Sequence, residues 1–480
     1  MRAARDALPC VHETRETIGK DAGTEETMMK QLSLALLAAL TLSVHAADGP
    51  PDRAVERLGK DLTPMGAERA GNADGSIPAW DGGYSIPRPE SGTERHLDSY
   101  ELFASDEPIA VITADNMAEY ADLLTVGQKA LLKRYPETYK MPLYETRRSG
   151  RAPEFIYEAN RRNAERAYLS NGGESINDAV TGIPFPLPDS GKEAIWNHKL
   201  RYRGESVQRY NVQLAVQSSG RFTPFKLRED IRFHYNNDGV EVEELDNVGI
   251  YFLQLVVGPP RQAGNVLLVH ETLDQVKESR RAWQYNAGQR RVRRAPDVSY
   301  DNPGTGSDGL RTNDQLDMFN GATDRYTWKL VGKKEVILPY NSYEFGDSRN
   351  TYEEMTRAGH INQDLTRYEK RRVWVVESEL KAGISHLYKR RTFYIDEDTW
   401  SILGVDIYDR RDELWRYQEL HSIQLVWLDS VATVGSTVYD LQANRYLLQE
   451  ISNEEPLVNT SVTFGERHFT PSNISRMATR

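Results

Sequence analysis

Cysteine is almost absent from this sequence: among 480 residues, Cys10 is the only one. It lies within residues 1–27, a charged stretch without hydrophobic periodicity that we predict to be a leader upstream of the true start codon. Without this leader the chain has no thiol. Disulfides, a thiolate nucleophile, cysteine-based metal sites and a lipid anchor on an N-terminal cysteine are then all excluded.

Signatures of catalysis are also missing. No two histidines have the HxxxH spacing of a metal site, and no GxSxG nucleophile elbow occurs. The segment Gly304–Gly309 matches GxGxxG, but it follows no apolar strand and precedes no apolar helix, so it does not predict a dinucleotide site. We therefore expect no catalytic residues, no metal, no cofactor and no enzymatic activity.

A surplus of positive charge is lacking as well. The chain has 60 Lys and Arg residues against 71 Asp and Glu residues, which gives a net charge of −11. Because the basic runs are local and offset by acids, nucleic acid is not an expected partner. Tyrosine, by contrast, is abundant at 25 residues, and its apolar ring and polar hydroxyl suit half-wetted surfaces.

One apolar run stands out, Leu32–Leu42, within the segment 28–46. Lys30 precedes this run and small residues follow it up to Ala46, which is the pattern of a signal peptide cleaved before Ala47. The run is too short to span a bilayer comfortably. We expect export, no transmembrane segment in the mature chain, and no lipidation.

An extended arm and two helices are predicted before the sheet. Residues 47–113 are rich in Pro, Gly, Asp and Ser and show no sustained period. Helical spacing of apolar residues predicts a helix that Thr113 caps and Pro136 ends, and a second helix from about Pro153 to Ser170. The buried anchors expected in the arm are Leu62, Ile77 and Trp80. The predicted regions are the leader 1–27, the signal peptide 28–46, the arm and helices 47–193, the β domain 194–450 and a tail 451–480.

Short segments of strand-like composition follow one another from Ala194 onward. Their hairpin-length gaps predict one large antiparallel sheet, curled on itself. Between Arg371 and Leu428 the polar breaks leave no room for crossover helices, so four strands there form a meander. The predicted strands are Ala194–Arg203, Gln208–Gln217, Phe225–Tyr235, Gly249–Gly258, Val266–Glu271, Ser279–Arg294, Lys334–Tyr340, Arg371–Glu379, Ser385–Ile395, Trp400–Asp409, Leu414–Leu428 and Thr437–Leu448.

Aromatic residues on the sheet are the candidate ligand contacts. One face of the meander carries Tyr and Trp among Arg and Lys, which is not a plain solvated face and is compatible with a semi-apolar concavity. The alternative is that aromatic and long basic side chains simply cover a sheet surface. The candidate contacts are Trp283, Tyr285, Trp374, Tyr388, Trp400 and Tyr408.

Ser279–Arg294 combines a strand, a turn at Gly288 and a second, basic strand, whose four arginines form a candidate docking surface. Alternation places Arg291 and Arg293 on one face of the strand, and Arg290 and Arg294 on the other. One interpretation is that they bind an anionic lipid headgroup or an acidic partner. The other is a solvated edge hairpin whose charge prevents edge-to-edge aggregation.

Several long motifs, in order, resemble the bacterial family known as domain of unknown function 1329. They are LTPMGAERAGNADGSIPAW, GIPFPLPDSGKEAIWNHKLRYRG, YDNPGTGSDGLRTNDQLDMFNGATDRYTWKLVGKKEVILPYNSYEF and VYDLQANRY. Two further stretches, RAWQYNAGQRRVRRAP and RRTFYIDEDTWSILGVDIYDRRDELWRYQEL, look like the outer-membrane lipoprotein carrier (LolA-like) superfamily. This second resemblance implies an α+β fold, in which a large curved antiparallel half-barrel has helices on its concave face and a hydrophobic cavity between them.

The resemblance also implies a function. Members of the carrier superfamily transport lipoproteins or lipids across the periplasm. We expect a periplasmic carrier for a lipid, lipoprotein or other hydrophobic ligand, with an inner-membrane transporter or an outer-membrane acceptor as candidate partners. The alternative is a cell-envelope scaffold, or an accessory protein of a transporter, that binds no small ligand.

Overall fold

The computed structural model describes residues 53–88, 102–295 and 300–477. The predicted leader, the signal peptide and its cleavage site at Ala46 lie outside these ranges. In the part that is described, no helix is long and apolar enough to cross a membrane.

One sheet of 15 strands dominates the described residues. Its strand order is β1-β2-β12-β13-β14-β15-β16-β17-β5-β6-β7-β8-β9-β10, with β11 paired to β12, while β3 and β4 form a separate ribbon. All pairs are antiparallel except β2 with β12, so the predicted fold class is confirmed. The strands are β1 Ala110–Ile112, β2 Met141–Tyr144, β3 Tyr168–Ser170, β4 Ser175–Asn177, β5 Ser206–Val216, β6 Pro224–Arg232, β7 Val248–Gly258, β8 Val266–Thr272, β9 Arg281–Asn286, β10 Arg291–Arg294, β11 Tyr326–Pro339, β12 Tyr368–Leu380, β13 Arg390–Asp396, β14 Ile402–Tyr408, β15 Leu414–Leu425, β16 Ser430–Asp440 and β17 Arg445–Ile451.

The helices are few and short. They are α1 Arg53–Arg57, α2 Val126–Arg134, α3 Glu154–Arg166, α4 Gly191–Leu200, α5 Tyr352–Met355 and α6 Pro471–Met477. Within the described residues, six single turns of 3-10 helix accompany them, at Asn171–Gly173, His234–Asn236, Val242–Leu245, Asn313–Gln315, Gln363–Leu365 and Glu466–Phe469.

The predicted meander is confirmed as strands β12 to β15, and its connections are short for a local reason. Before β15, the Asp409 carboxylate accepts hydrogen bonds from the backbone N–H groups of Arg411 at 2.9 Å and Glu413 at 3.0 Å. A side chain that satisfies the backbone in this way closes a tight turn without a helix. Apolar clusters cover both faces of the meander, with Tyr417 in one and Leu420 in the other.

The sheet is strongly curved. Val269 on β8 and Val431 on β16 line the same cavity of about 200 Å³, although five strand-to-strand steps separate these two strands in the sheet. In a flat sheet those steps would span about 24 Å. A cavity of this size is lined from both strands only if the sheet curls around it.

The segment Ala194–Arg203, predicted as the first strand, is a helix instead. Helix α4 spans Gly191–Leu200, and the Ser190 side chain caps it by accepting a hydrogen bond from the backbone N–H of Glu193. Serine followed three residues later by glutamate is a helix-start signal. The strand-like run of Ile195 and Trp196 was therefore outweighed by a local cap.

Two other element predictions need correction. The helix predicted from Thr113 begins only at Val126, because Asn116 bonds the backbone at Thr113 and Val111 and so favours turns. Thr125 then makes a capping box with Gln128. The last predicted strand, Thr437–Leu448, is in fact two strands, β16 and β17, joined by a turn.

The arm from residue 53 to 88 is pinned to the sheet by buried donors. The predicted anchors Leu62, Ile77 and Trp80 are buried. Arg148 donates to the backbone carbonyls of Glu68 and Arg69, and the Trp400 indole donates to that of Met65 at 2.8 Å. These bonds satisfy arm carbonyls that burial would otherwise leave unpaired.

Candidate functional site

The candidate site is a cavity of about 200 Å³ on the concave side of the sheet. Strands β5 to β8 form one wall. Strand β16 and Glu450, near the C-terminal end of β17, form another. Helix α4 and the loop that carries residues 305–320 cover it. The helix predicted as a strand therefore has a definite place, as part of the cover over the concave face.

An apolar layer crosses the long wall of the cavity. Val207, Ile231, Phe252 and Val269 are direct neighbours on β5, β6, β7 and β8, in register from strand to strand. Period-two alternation turns all four to the same face, and all four line the cavity. This layer gives the cavity a continuous hydrocarbon surface.

A polar layer lies two residues further along the same strands. Arg209, Glu229 and Gln254 are again neighbours in register on β5, β6 and β7. The buried Glu229 carboxylate accepts from the Arg209 guanidinium and from the Gln254 amide, both at 2.9 Å. Arg209 also reaches Glu450 on β17 at 3.3 Å. The ion pairs and hydrogen bonds of this layer therefore connect four strands, β17, β5, β6 and β7.

On the other side of the apolar layer a further ion pair closes the wall. Ile250 pairs in register with Glu271, and the Arg280 guanidinium donates to the Glu271 carboxylate at 2.8 Å. The ammonium of Lys199, on α4, stands 4.2 Å from the centre of the Trp196 ring. Burial lowers the pKa of Lys199 to about 8.

Asp317 fastens the covering loop to helix α4. Its carboxylate pairs with Arg201 at 2.5 Å and with Arg203 at 2.5 Å. His198 Nε2 donates to the backbone carbonyl of Asp317 at 2.8 Å, and its Nδ1 accepts from the backbone N–H of Ile402 at 3.2 Å. Although burial acts to raise it, the charges of Arg201 and Arg203 hold the pKa of the Asp317 carboxyl well below its usual range. Burial lowers the pKa of His198 to about 3, so this imidazole is a neutral connector.

The carboxylates that line the cavity, Glu271, Asp317 and Glu450, are each engaged by a guanidinium group. Within the described ranges, no group of three or more His, Cys, Asp or Glu side chains is placed to hold a metal ion. What the residues offer a ligand is an apolar surface between two charged ends.

The six aromatic residues predicted as ligand contacts lie elsewhere. None of them lines this cavity, and their assignment stays a prediction. Trp283 and Tyr285 pack with the C-terminal residues Phe469 and Ile474, on the opposite face of β9. The other four belong to the meander half of the sheet, where Trp374 stacks on Trp400, Tyr388 is buried and Tyr408 lies under Arg390.

The four arginines predicted to dock a partner are all exposed on or beside β10, which is the end strand of the sheet. Val292 pairs with Tyr285 and Arg293 with Gln284. Arg291 and Arg293 therefore share one side of the sheet, as their alternation predicted, and this is the side that carries the apolar layer. Whether they bind anything stays a prediction.

Sequence reasoning missed the residues that form the cavity. The strands that carry Ile231, Phe252 and Val269 were predicted, but alternation alone does not say which face is concave. Arg311 and Asp317 were not among the predicted site residues. The signal available for them was the length of the polar segment in which they lie, since long loops in a folded domain are often functional.

Comparisons with known proteins agree with the motifs. The model of the family "Protein of unknown function (DUF1329)" matches residues 111–475. "Uncharacterized protein PA3922" of Pseudomonas aeruginosa is 48% identical over 450 residues, which cover 94% of this chain and 97% of the relative.

Solved structures resemble the chain less closely. A DUF1329 family protein from Desulfovibrio piger is 16% identical with a TM-score of 0.40, covering 58% of this chain and 95% of that one. A putative outer membrane lipoprotein-sorting protein domain from Vibrio parahaemolyticus is 16% identical with a TM-score of 0.41, covering 59% and 97%. A LolA superfamily protein from Nitrosomonas europaea is 10% identical with a TM-score of 0.36, covering 59% and 98%. With a family model over most of its length and a relative at nearly half identity, the chain belongs to the DUF1329 family.

Proposed function

We propose that this protein is a non-enzymatic periplasmic binding protein that carries a lipid or another hydrophobic ligand in the covered cavity. The observation that carries the proposal is the apolar layer of Val207, Ile231, Phe252 and Val269. Part of the surface of this layer faces the cavity instead of packing against other side chains. Ligand sites are mostly apolar concavities with a few polar groups that fix orientation, and this cavity has that composition.

The energetics favour an occupant. Protein interiors are close-packed, and side chains that line a void lose the dispersion contacts that a neighbour would supply. Each methylene group that moves from water onto such a surface contributes about 0.8 kcal/mol. A hydrocarbon chain in contact with the layer therefore gains free energy without displacing any side chain.

The size of the cavity limits the ligand. Its volume of about 200 Å³ is close to that of an engineered apolar cavity of about 150 Å³ that binds benzene. It is smaller than the roughly 300–1,000 Å³ typical of sites for drug-sized ligands. We therefore propose a ligand that inserts one slender hydrocarbon chain, rather than all the acyl chains of a lipoprotein anchor.

The exposed arginines extend the proposal to delivery. Arg291 and Arg293 lie on the cavity side of the end strand, where an anionic membrane surface or an acidic acceptor protein would meet them first. Clustered cations near a surface increase encounter rates with anionic partners. An inner-membrane transporter and an outer-membrane acceptor are the partners this arrangement suits. The same arginines favour the second candidate function, an envelope scaffold without a ligand.

The test first looks for a bound ligand and then blocks the cavity with a larger side chain. Native mass spectrometry of the purified protein is expected to detect a co-purifying lipid. We expect Val207→Trp, which places an indole in the apolar layer, to reduce both that signal and the uptake of a fluorescent fatty acid. The matched control is Val257→Trp, because Val257 is exposed on β7 and does not line the cavity. Equal uptake by both variants would contradict binding in this cavity. If the unmodified protein shows neither bound lipid nor uptake, the carrier function is refuted and the scaffold function remains.

A further inference from the structure

Cationic side chains outnumber acidic ones on the wall of the cavity. The cations that line it are Lys199, Arg203, Arg209, Arg280 and Arg311. The lining acids are Glu271, Asp317 and Glu450. A charge that is buried without a partner is costly. A lining cation that lacks a carboxylate partner therefore indicates where a ligand would supply an anion.

Two of the five cations are neutralised locally. Arg209 lies between the carboxylates of Glu229 and Glu450, at 2.9 and 3.3 Å. Arg280 pairs with Glu271 at 2.8 Å. These pairs belong to the wall itself and need nothing from a ligand.

Arg203 is only partly neutralised. It shares the Asp317 carboxylate with Arg201, so two guanidinium groups divide one negative charge. Its Nε is buried and has no hydrogen-bond partner among the described residues. Burial lowers the pKa of Arg203 to about 10, which reflects a charge that the site holds at a cost.

Arg311 forms no ion pair among the described residues, and the carboxylates of Glu450 and Glu229 act on its charge only from a longer distance. The residue is 3% exposed, and in the described part of the chain no acidic oxygen lies within ion-pair distance of it. Its Nε donates to the Gln449 side-chain oxygen at 2.6 Å and its Nη1 to the Thr312 carbonyl at 3.4 Å. Both acceptors are neutral, and an arginine cannot relieve its burial by losing a proton.

Lys199 differs from Arg311 in this respect. Its ammonium donates to the Gly321 carbonyl at 3.1 Å and stands over an indole ring, and a lysine can shed its proton when burial makes the charge unfavourable. The requirement for an external anion is therefore strongest at Arg311, with Arg203 as the second cation facing the same cavity.

We propose that the ligand carries an anionic head group, a carboxylate or a phosphate monoester on a single hydrocarbon chain, and that Arg311 binds this head group with help from Arg203. The chain then lies along the apolar layer. This inference rests on the proposed function and adds the chemical class of the ligand. Guanidinium groups present parallel donors that match both kinds of oxyanion.

The test compares three ligands with the same chain: dodecanoate, dodecyl phosphate and the uncharged dodecanol. Isothermal titration of the delipidated full chain is expected to show at least one acid binding about tenfold or more tightly than the alcohol, since hydrogen bonds to charged groups are the stronger ones. The better acid identifies the head group. The variant Arg311→Gln is expected to lose that preference while its affinity for dodecanol stays the same.

Two further variants keep the outcome decisive. Arg311→Lys retains the charge and is expected to keep most of the preference, which also covers the case in which Arg311→Gln does not fold. Arg162→Gln, an exposed arginine on α3, is the control for a general loss of positive charge. Equal binding of acids and alcohol overturns this inference but leaves the carrier standing, whereas binding of none of the three removes the proposed function itself. If Lys199→Gln rather than Arg311→Gln abolishes the preference, the assignment to Arg311 is wrong.

Discussion

Glu419 on β15 is a buried acid whose charge should reduce stability above neutral pH. It is 0% exposed. Its oxygens accept hydrogen bonds from the Tyr417 hydroxyl at 2.9 Å, and from the Gln128 amide and the Tyr368 hydroxyl at 3.3 Å. None of these donors is charged. Burial raises the pKa of the Glu419 carboxyl to about 7, and the nearby Asp406 adds to the effect.

The sign of the pH dependence follows from comparing the folded and unfolded chains. Below the ordinary value of 4.5 the carboxyl is protonated in both states and contributes nothing. As pH rises from there to about 7, the unfolded chain releases the proton while the folded chain keeps it, so the free energy of unfolding falls. Above about 7 the loss is complete, and its size is about 3 kcal/mol at 1.36 kcal/mol for each unit of pKa.

The substitution Glu419→Gln removes this loss, because an amide of nearly the same shape carries no charge. The variant's free energy of unfolding, relative to the unmodified protein, should rise by about 3 kcal/mol between pH 4.5 and pH 8. Any change in the hydrogen bonds adds a constant that is the same at both pH values. Urea unfolding followed by circular dichroism at the two pH values measures the difference.

The control is Glu379→Gln, which removes an exposed carboxylate on β12 and is expected to give nearly the same difference at both pH values. If the gap between Glu419→Gln and the unmodified protein does not widen from pH 4.5 to pH 8, the carboxyl is not held neutral by burial and the reasoning is refuted.

Three other outcomes are expected. Sequencing the mature N-terminus should give Ala47 as the first residue, and a mature protein that retains Lys30 would contradict export with cleavage. Replacing Arg291 and Arg293 together by Gln should weaken binding to anionic vesicles but not to neutral ones, and should move stability by only about 0.5 kcal/mol because both are exposed; unchanged vesicle binding would mean that the arginines only protect the sheet edge. Screens against ester, peptide and glycoside substrates should show no turnover that a single substitution abolishes.

The sequence predicted the sheet well because its signals are local. Strand-like composition, alternation and polar turns are visible within ten residues, and they located the meander and the basic hairpin β9–β10. It failed at α4, where an apolar run with strand-like composition follows the cap formed by Ser190 and Glu193. The composition predicted a strand and the cap indicated a helix, and the prediction took no account of the cap.

The cavity was beyond local reasoning. Val207 and Val269 become neighbours of the same void only when four strands pair in register and the sheet curls. The ion pair that fastens the cover joins Arg201 to Asp317, more than a hundred residues along the chain. Alternation reveals neither the register of distant strands nor the concave face, because it defines the two faces of a strand without indicating which one is concave.

The abundance of tyrosine also has a different use from the one expected. Many tyrosines lie in the interior instead of at half-wetted surfaces, and their hydroxyls bond buried acceptors: Tyr388 donates to Gln315 at 2.6 Å, and Tyr343 to the Gln424 carbonyl at 2.8 Å. Buried hydroxyls with partners fix side chains in one arrangement, since breaking such a bond leaves a polar atom unsatisfied. These residues lie in or against the meander, while strands β5 to β8 supply the apolar layer. A void beside that layer persists only if the surrounding structure does not collapse into it. The tyrosine-rich half of the sheet, with these buried and hydrogen-bonded hydroxyls, is the part of the molecule suited to hold the curvature in place.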